Sequence, residues 1–181
     1  MASTVLDGIS DQLPRRKNPG NPPLHLWNPA FSGAIDIVIK ADGSWFHEGR
    51  PILRRQLVKL FASILRREED GEYYLVTPVE KWRLQVECLP LLVTDFDILD
   101  VPGPDQKLQV EVNTGRRYVV GESCTLYLPD SPQCAGIPGV MLEYGVGALF
   151  NRAAWYRLAQ CCESRDGSSG IHSCGHFYIL G

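Results

Sequence analysis

The stretch from Gly43 to Trp82, GSWFHEGRPILRRQLVKLFASILRREEDGEYYLVTPVEKW, constrains this chain more than any other. Within it Leu57, Val58, Leu60, Phe61, Ile64 and Leu65 recur at the spacing of one helix face, and Arg54, Arg55, Lys59, Ser63, Arg66 and Arg67 fill the other. The spacing predicts an amphipathic helix. Arg66 and Arg67 suit its C-terminal end, where cations meet the negative pole of the helix dipole, and Gly71 is placed to stop it. Strands flank the helix. Ile35, Ile37 and Ile39 alternate, Asp42-Gly43 marks a hairpin turn, and Trp45 to His47 answers as the partner strand. Beyond the helix, Tyr73 to Val76 reads as a strand that Thr77-Pro78 ends.

After Trp82 the pattern is mostly β. Trp82, Leu84 and Val86 alternate with polar residues, as do Leu108, Val110 and Val112. Asn113-Thr114-Gly115 is a turn that Tyr118 to Val120 follows, with further strands at Leu126 to Leu128 and Val140 to Tyr144 around a loop from Pro129 to Pro138. Asn151 is placed to cap a second helix, with Trp155, Leu158, Ala159 and Cys162 along one face. Asp166 to Gly170 reads as a loop and Phe177 to Leu180 as the last strand.

Two pieces of the chain echo each other. One runs Arg55, Leu60-Phe61, Asp70-Gly71 and Tyr73 to Val76; the other runs Arg152, Leu158-Ala159, Asp166-Gly167 and Phe177 to Leu180. Each is a helix with arginine near its start, a glycine turn and an aromatic-aliphatic strand. The organisation expected is α+β with two related halves. A tail or strap over 1–25, rich in proline and basic residues, precedes an N-terminal half over 26–82 and a β-rich C-terminal half with one helix over 83–181.

Net charge is −3 over 181 residues, which argues against broad binding of nucleic-acid polymers. No apolar run approaches the length that spans a bilayer, and the N-terminus lacks a signal-peptide pattern, so the expected compartment is the cytoplasm. The six cysteines form no C-x-x-C pair; the expectation is reduced, mostly buried thiols.

Arg50, Arg54 and Arg55 stand at the start of the first helix, and Arg152 at the start of the second. Arginine there opposes the helix dipole by about 0.3–1 kcal/mol each, and an anion docked at that end removes the conflict. Solvation or pairing with Glu48, Glu80 or Glu87 is the plain alternative. In Thr77-Pro78-Val79-Glu80-Lys81-Trp82, Lys81 could meet a phosphate and Trp82 could stack on a ring, while the plain reading is a turn held by Thr77 with Trp82 in the core. On a strand, His172, Cys174 and His176 would share one side, but three such residues rarely close a metal site without a fourth ligand from elsewhere. Asp95, Asp97, Asp100 and Asp105, interleaved with Phe96, Ile98 and Val101, read as a solvated strand or loop. There is no Walker loop, G-x-S-x-G, G-x-G-x-x-G or HExxH.

The run Trp45-Phe46-His47-x-Gly49-x-Pro51-Ile52, the helix Leu57 to Arg67, Tyr74 to Trp82 with Val86-Glu87, and Leu149, Asn151-Arg152, Tyr156, Leu158 and Phe177-x-x-Leu180-Gly181 resemble the bacterial domain-of-unknown-function family twelve-eighty-five. The resemblance covers nearly the whole chain after the tail. It implies an α+β fold with an internal duplication and a C-terminal half superficially like a pleckstrin-homology barrel. It also implies a site between the halves for a nucleotide-based ligand and a role in signalling. Cys88, Leu91, His172 and Cys174 depart from the family's pattern.

Together these readings favour a binder over an enzyme, needing no cofactor and no metal, monomeric or homodimeric. Its ligand would be small and anionic, nucleotides included. Arg54, Arg55 and Arg152 would neutralise phosphate and Lys81 would assist, with Thr77 and Glu80 in the same turn; Glu87 and Asn113 would orient polar groups. The competing reading is a protein–protein interaction module using the C-terminal sheet.

Overall fold

Each half of the chain builds a six-stranded sheet from two three-stranded meanders. The computed structural model describes residues 3–12, 22–100 and 102–181. The proline- and arginine-rich run over 13–21 and Val101 fall outside them. The chain divides into two compact units. One takes the residues up to Ile39 together with Ser44–Val86; the other takes Lys40–Gly43 with Glu87–Gly181.

The N-terminal unit contains α1 (Ser3–Asp11), β1 (Phe31–Ile39), β2 (Trp45–His47), β3 (Arg50–Pro51), α2 (Arg55–Ser63), β4 (Leu65–Arg67), β5 (Tyr73–Val76) and β6 (Lys81–Val86). Its strands lie in the order β3-β2-β1-β6-β5-β4. All neighbours are antiparallel except β1 and β6. Ile35, Ile37 and Ile39 alternate inward on β1, as their spacing requires. Phe61 of α2 is fully buried, with its ring centroid 6.4 Å from that of Trp45.

Two local expectations change here. The first is the extent of the central helix. It ends at Ser63, and Arg66 and Arg67 sit on β4, paired with Tyr74 and Tyr73. Asp70-Gly71 is therefore the turn of a β hairpin, closed by the Gly71 amide donating to the Glu68 carbonyl at 3.0 Å. A hairpin turn needs a strand on each side, and pairing with β5 overrides the helical spacing at Leu65. The second is the N-terminus. Ser3–Asp11 is helical where no regular element was expected, and Ile9 on it is fully buried.

The C-terminal unit contains β7 (Leu91–Leu99), β8 (Lys107–Val112), β9 (Arg117–Val119), β10 (Thr125–Tyr127), β11 (Gly139–Met141), β12 (Gly147–Phe150), α3 (Arg152–Gln160), β13 (Glu163–Arg165), β14 (Ser168–Ser173) and β15 (His176–Ile179). The first six strands form a curled half-barrel in the order β10-β11-β12-β7-β8-β9, parallel only between β12 and β7. Counted from the start of each unit, this is the order of the N-terminal sheet. The first strand of one meander lies parallel to the last strand of the next. The internal duplication is thus a duplication of connectivity.

The helices do not follow the sheets. α2 joins the two meanders of the N-terminal unit, whereas α3 follows the second meander of the C-terminal unit and leads into a third, β13-β14-β15. The sequence echo holds from each helix through the Asp-Gly turn and then slips by one strand. β14, not Phe177 to Leu180, occupies the place of Tyr73 to Val76. The expected loop at Asp166 to Gly170 is only the two-residue turn Asp166-Gly167, with φ of 51° and 82°, followed by the start of β14. On α3, Ala154 and Leu158 are buried and Ala159 is exposed, one step round from the face expected.

The cysteines also differ from expectation. Cys88 and Cys134 form a disulfide that ties the start of β7 to the loop between β10 and β11. It packs among Leu89, Leu149, Tyr127 and Ile137. Cys124 is a buried thiol, and Cys161 and Cys174 are exposed. Pairing across 46 residues leaves no spacing signature, which is why the sequence concealed it. Disulfides are commoner in oxidising environments than in reducing ones. Among the described residues, no helix is long and apolar enough to cross a membrane.

Candidate functional site

Strand β4 and the hairpin turn that follows it carry Arg66, Arg67, Glu68, Glu69 and Asp70 in succession, and β5 and β6 bring Tyr74 and Lys81 beside them. With His25, Trp27, Asn28 and Phe31 these residues line an open cleft of about 570 Å³ within the N-terminal unit. Phe31 and Tyr74 meet edge to face, 6.3 Å between centroids. Three cations face three carboxylates, so the cleft is close to neutral in formal charge. Its chemistry depends on which groups are already engaged.

Arg66 is almost saturated. It donates to Glu68 through Nε at 2.9 Å and through Nη2, and its Nη1 reaches the carbonyls of Leu24 at 3.0 Å and Trp27 at 2.8 Å. Four of the five N–H groups of a guanidinium are thereby used, and the segment around Trp27 is clamped to β4. Asp70 is engaged as well, accepting the Tyr74 hydroxyl at 2.6 Å and the Glu72 amide at 3.0 Å. That hydrogen bond pushes the Tyr74 hydroxyl up to about 12, with burial adding to it, and holds the Asp70 carboxyl below its ordinary range. Lys81 lies with its ammonium 5.3 Å from the Tyr74 centroid and 3.3 Å from the second oxygen of Glu68. Burial opposes ionisation of Glu68, but hydrogen bonds from Arg66 and Lys81 outweigh it and lower its pKa. Arg67 uses one donor on the Gly71 carbonyl at 3.0 Å and stacks 5.6 Å from the Tyr73 centroid. Among the described residues, its other N–H groups and two of the three on Lys81 make no hydrogen bond.

The residues singled out by sequence fall in several places. Arg54 is the N-cap of α2 and offers no capping side chain; Arg55 is the first helical residue, and both are exposed. Thr77 is fully buried, and its hydroxyl oxygen accepts the amides of Val79 and Glu80 at 3.3 and 2.9 Å, so it holds the turn. Glu80 accepts from the Gln12 amide at 3.1 Å and the Trp82 indole at 3.3 Å. Of the eight, only Lys81 lines the cleft. Glu87, Asn113 and Arg152 belong to the C-terminal unit. Glu87 takes the Lys40 ammonium at 2.7 Å and the Ala41 amide at 3.1 Å, pinning the turn ahead of β2. Asn113 accepts the Leu92 amide at 3.2 Å, and Arg152 stands exposed at the start of α3.

Two family models together match residues 22–180. The N-terminal domain of DUF1285, a domain of unknown function, matches residues 22–89, and the C-terminal domain of the same family matches 90–180. The chain belongs to the DUF1285 family. Crystal structures of two DUF1285 proteins are similar to it. The one from Silicibacter pomeroyi DSS-3 is 40% identical, with a TM-score of 0.84 over 92% of this chain and 90% of that one. The one from Shewanella baltica OS155 is 35% identical, with a TM-score of 0.56 over 70% of this chain and 91% of that one. No curated protein matches.

In this DUF1285 chain the histidine-cysteine run does not lie on one strand. Cys174-Gly175 is the turn between β14 and β15, so His172 and His176 sit on different strands. His172 is buried 4.9 Å from the Phe177 ring centroid, whereas Cys174 and His176 are exposed. Among the described residues no three metal-capable side chains converge. The acidic run is strand β7 and its exit. Asp95 pairs with Arg157 at 2.5 Å, and Asp100 with Lys107 at 3.0 Å.

Sequence reasoning missed Arg67, Glu68, Asp70 and Tyr74 because it placed the two arginines at a helix end. A hairpin reading of this segment would have set Arg66 opposite Tyr74 and Arg67 opposite Tyr73, with Glu68 two residues beyond Arg66 on the same side.

Proposed function

We propose that this chain is a non-catalytic binder of a small anionic ligand with a planar ring, of the nucleotide type, held in the cleft of its N-terminal unit. The observation that carries the reading is that Lys81, with one of its three N–H groups engaged among the described residues, stands beside the aromatic walls Trp27, Phe31 and Tyr74, with Arg67 also in the lining. Guanidinium and ammonium groups supply charge-assisted bonds to a phosphate or carboxylate. The rings supply the apolar contact that a flat ligand needs. Of the three carboxylates, Glu68 and Asp70 are engaged within the protein and Glu69 is exposed. The Tyr74 hydroxyl beside Asp70 is pushed up to about 12, which makes it a poor nucleophile at neutral pH. A role in signalling fits a ligand binder of this kind and rests on that reading.

The test is calorimetry or thermal melting of the full chain with a panel of nucleotides and simple phosphates. A ligand at a hundred times its Kd stabilises the folded state by about 2.7 kcal/mol. Lys81→Met and Arg67→Ala should each weaken binding, and Arg55→Ala at the start of α2 should leave it unchanged. Loss of binding in Arg55→Ala alone would move the site to the helix start, and no response to any anion would end the reading.

A further inference from the structure

Arg66 is a junction within the cleft. It stands on β4 opposite Tyr74, with Glu68 two residues on along the same side of the chain. Its Nη1 donates to the carbonyls of Leu24 at 3.0 Å and Trp27 at 2.8 Å, and its Nε and Nη2 donate to one oxygen of Glu68. The second Glu68 oxygen lies 3.3 Å from the Lys81 ammonium. One side chain therefore links the Trp27 wall, through Glu68, to the cation over the Tyr74 wall. The segment it grips is short. Leu24 is buried and β1 begins at Phe31. Trp27 lies between them, at the end of a single 3-10 turn closed by its own amide on the Leu24 carbonyl at 3.1 Å.

We infer that Arg66 is a positioning residue for ring recognition: it sets the Trp27 wall in the cleft, so that the base of a nucleotide contributes to binding beyond its phosphate. This deepens the proposed function and rests on it. The guanidinium spends its donors on protein groups, so it acts through Trp27 and not on the ligand. The task suits arginine. Its planar fork meets a carboxylate and two carbonyls at once, whereas a lysine ammonium is a single point on a flexible stem. With the clamp closed, the wall is ordered before the ligand arrives. Without it, a ligand that stacks on Trp27 must order that segment itself, and its affinity falls accordingly. A phosphate that carries no base bears no such cost.

The experiment titrates AMP and ribose 5-phosphate, which share sugar and phosphate and differ by the base, into the full chain, Arg66→Lys, Trp27→Ala and the double variant. The ratio of the two affinities in each protein cancels changes at Lys81, since both probes carry the same phosphate. The wild type should prefer AMP at least about fivefold, the low end for one base stacked on an aromatic side chain. Arg66→Lys and Trp27→Ala should each abolish the preference, and the double variant should lose nothing further, as for two residues that act as one unit. Should Arg66→Lys fail to fold, Glu68→Gln, which keeps Arg66 and removes the charge that holds its fork, should lower the preference in the same direction. An undiminished AMP preference in the variant measured, or an additive loss in the double variant, overturns the inference and leaves the anion site standing. Equal affinity of the wild type for the two probes overturns it as well. Failure of every protein to bind either probe ends the proposed function itself.

Discussion

The Ser173 hydroxyl donates to the Val120 carbonyl at 2.6 Å. The same oxygen accepts the Leu108 amide at 3.0 Å, while the Val120 amide bonds directly to the Leu108 carbonyl at 2.8 Å. A serine from β14 therefore stands in the ladder between β8 and the residue that follows β9. One rung is direct and the next runs through a side chain. This is how the third meander attaches to the curled sheet. Gln106, whose side chain donates to the His172 carbonyl at 2.9 Å, and the Cys174 amide, which donates to the Gln106 carbonyl at 2.9 Å, continue the attachment.

Ser173→Ala should cost about 1–3 kcal/mol, because it leaves a buried amide and a buried carbonyl without partners. Chemical denaturation of the variant against wild type measures it. Ser173→Thr tests the mechanism, since it restores the hydroxyl and adds one methyl at a fully buried position. A loss in the alanine variant below about 0.5 kcal/mol would mean that water or a shifted ladder satisfies the two groups.

Much of this architecture is legible in the sequence, and what is not has physical causes. Alternating Ile35, Ile37 and Ile39, the Asp42-Gly43 turn and the Asn151 cap all turn out as read, because each is a local signal. The Gly43 amide donates to the Lys40 carbonyl at 2.9 Å at a φ of 79°, and a side chain there would press on Leu92. The α+β class and the relatedness of the halves are also legible, but the duplication resides in strand order, which no local pattern carries. Arg66 and Arg67 were misplaced because a helix end and the first strand of a hairpin both tolerate Leu-Arg-Arg, and only the pairing of Leu65 with Leu75 decides between them. The candidate cleft was half legible. Lys81 stood out as a cation in a polar turn, whereas Glu68 and Tyr74 acquire meaning only when β4, β5 and β6 lie side by side.

Reduction of the Cys88–Cys134 bond should destabilise the C-terminal unit by about 2–4 kcal/mol, the range for a native cross-link closing a loop of this size. Urea unfolding with and without a dithiol reductant measures the change, and Cys134→Ser should reproduce it without reductant. Intact mass after alkylation under denaturing conditions gives the independent check: four thiols react in the oxidised protein and six after reduction, from six cysteines with one pair bonded. Six reactive thiols in protein purified without reductant would show that the bond does not form.

Gly170→Ala should be among the most damaging single-methyl additions in the chain. A Cβ there would lie 2.3 Å from the Tyr178 carbonyl oxygen and 2.8 Å from the Phe177 ring. The obstacle is partly backbone of the neighbouring strand, which cannot rotate aside as a side chain would. Overpacking of this kind costs about 1–3 kcal/mol or more, and a lowered melting temperature reports it. Gly175→Ala, at an open position with φ of 78°, is the control. It should suffer only the cost of a left-handed residue, about 1 kcal/mol.

The Tyr74–Asp70 hydrogen bond makes the stability of the N-terminal unit depend on pH at both ends of the scale. Folding raises the Tyr74 hydroxyl from about 10 to about 12, so between those values the folded state binds more protons than the unfolded one. Stability from this group is fully present below about pH 10 and is lost as pH rises toward 12. Asp70 runs the opposite way. Its carboxyl is held below its ordinary range, so its contribution is present above that range and is lost as pH falls through it. Tyr74→Phe removes the alkaline loss and returns Asp70 toward ordinary behaviour. Urea midpoints of wild type and Tyr74→Phe should therefore differ most near neutral pH and converge both above pH 10 and below about pH 4, where the bond no longer contributes. Parallel curves across the whole range would mean that the phenol and the carboxylate do not titrate as a pair.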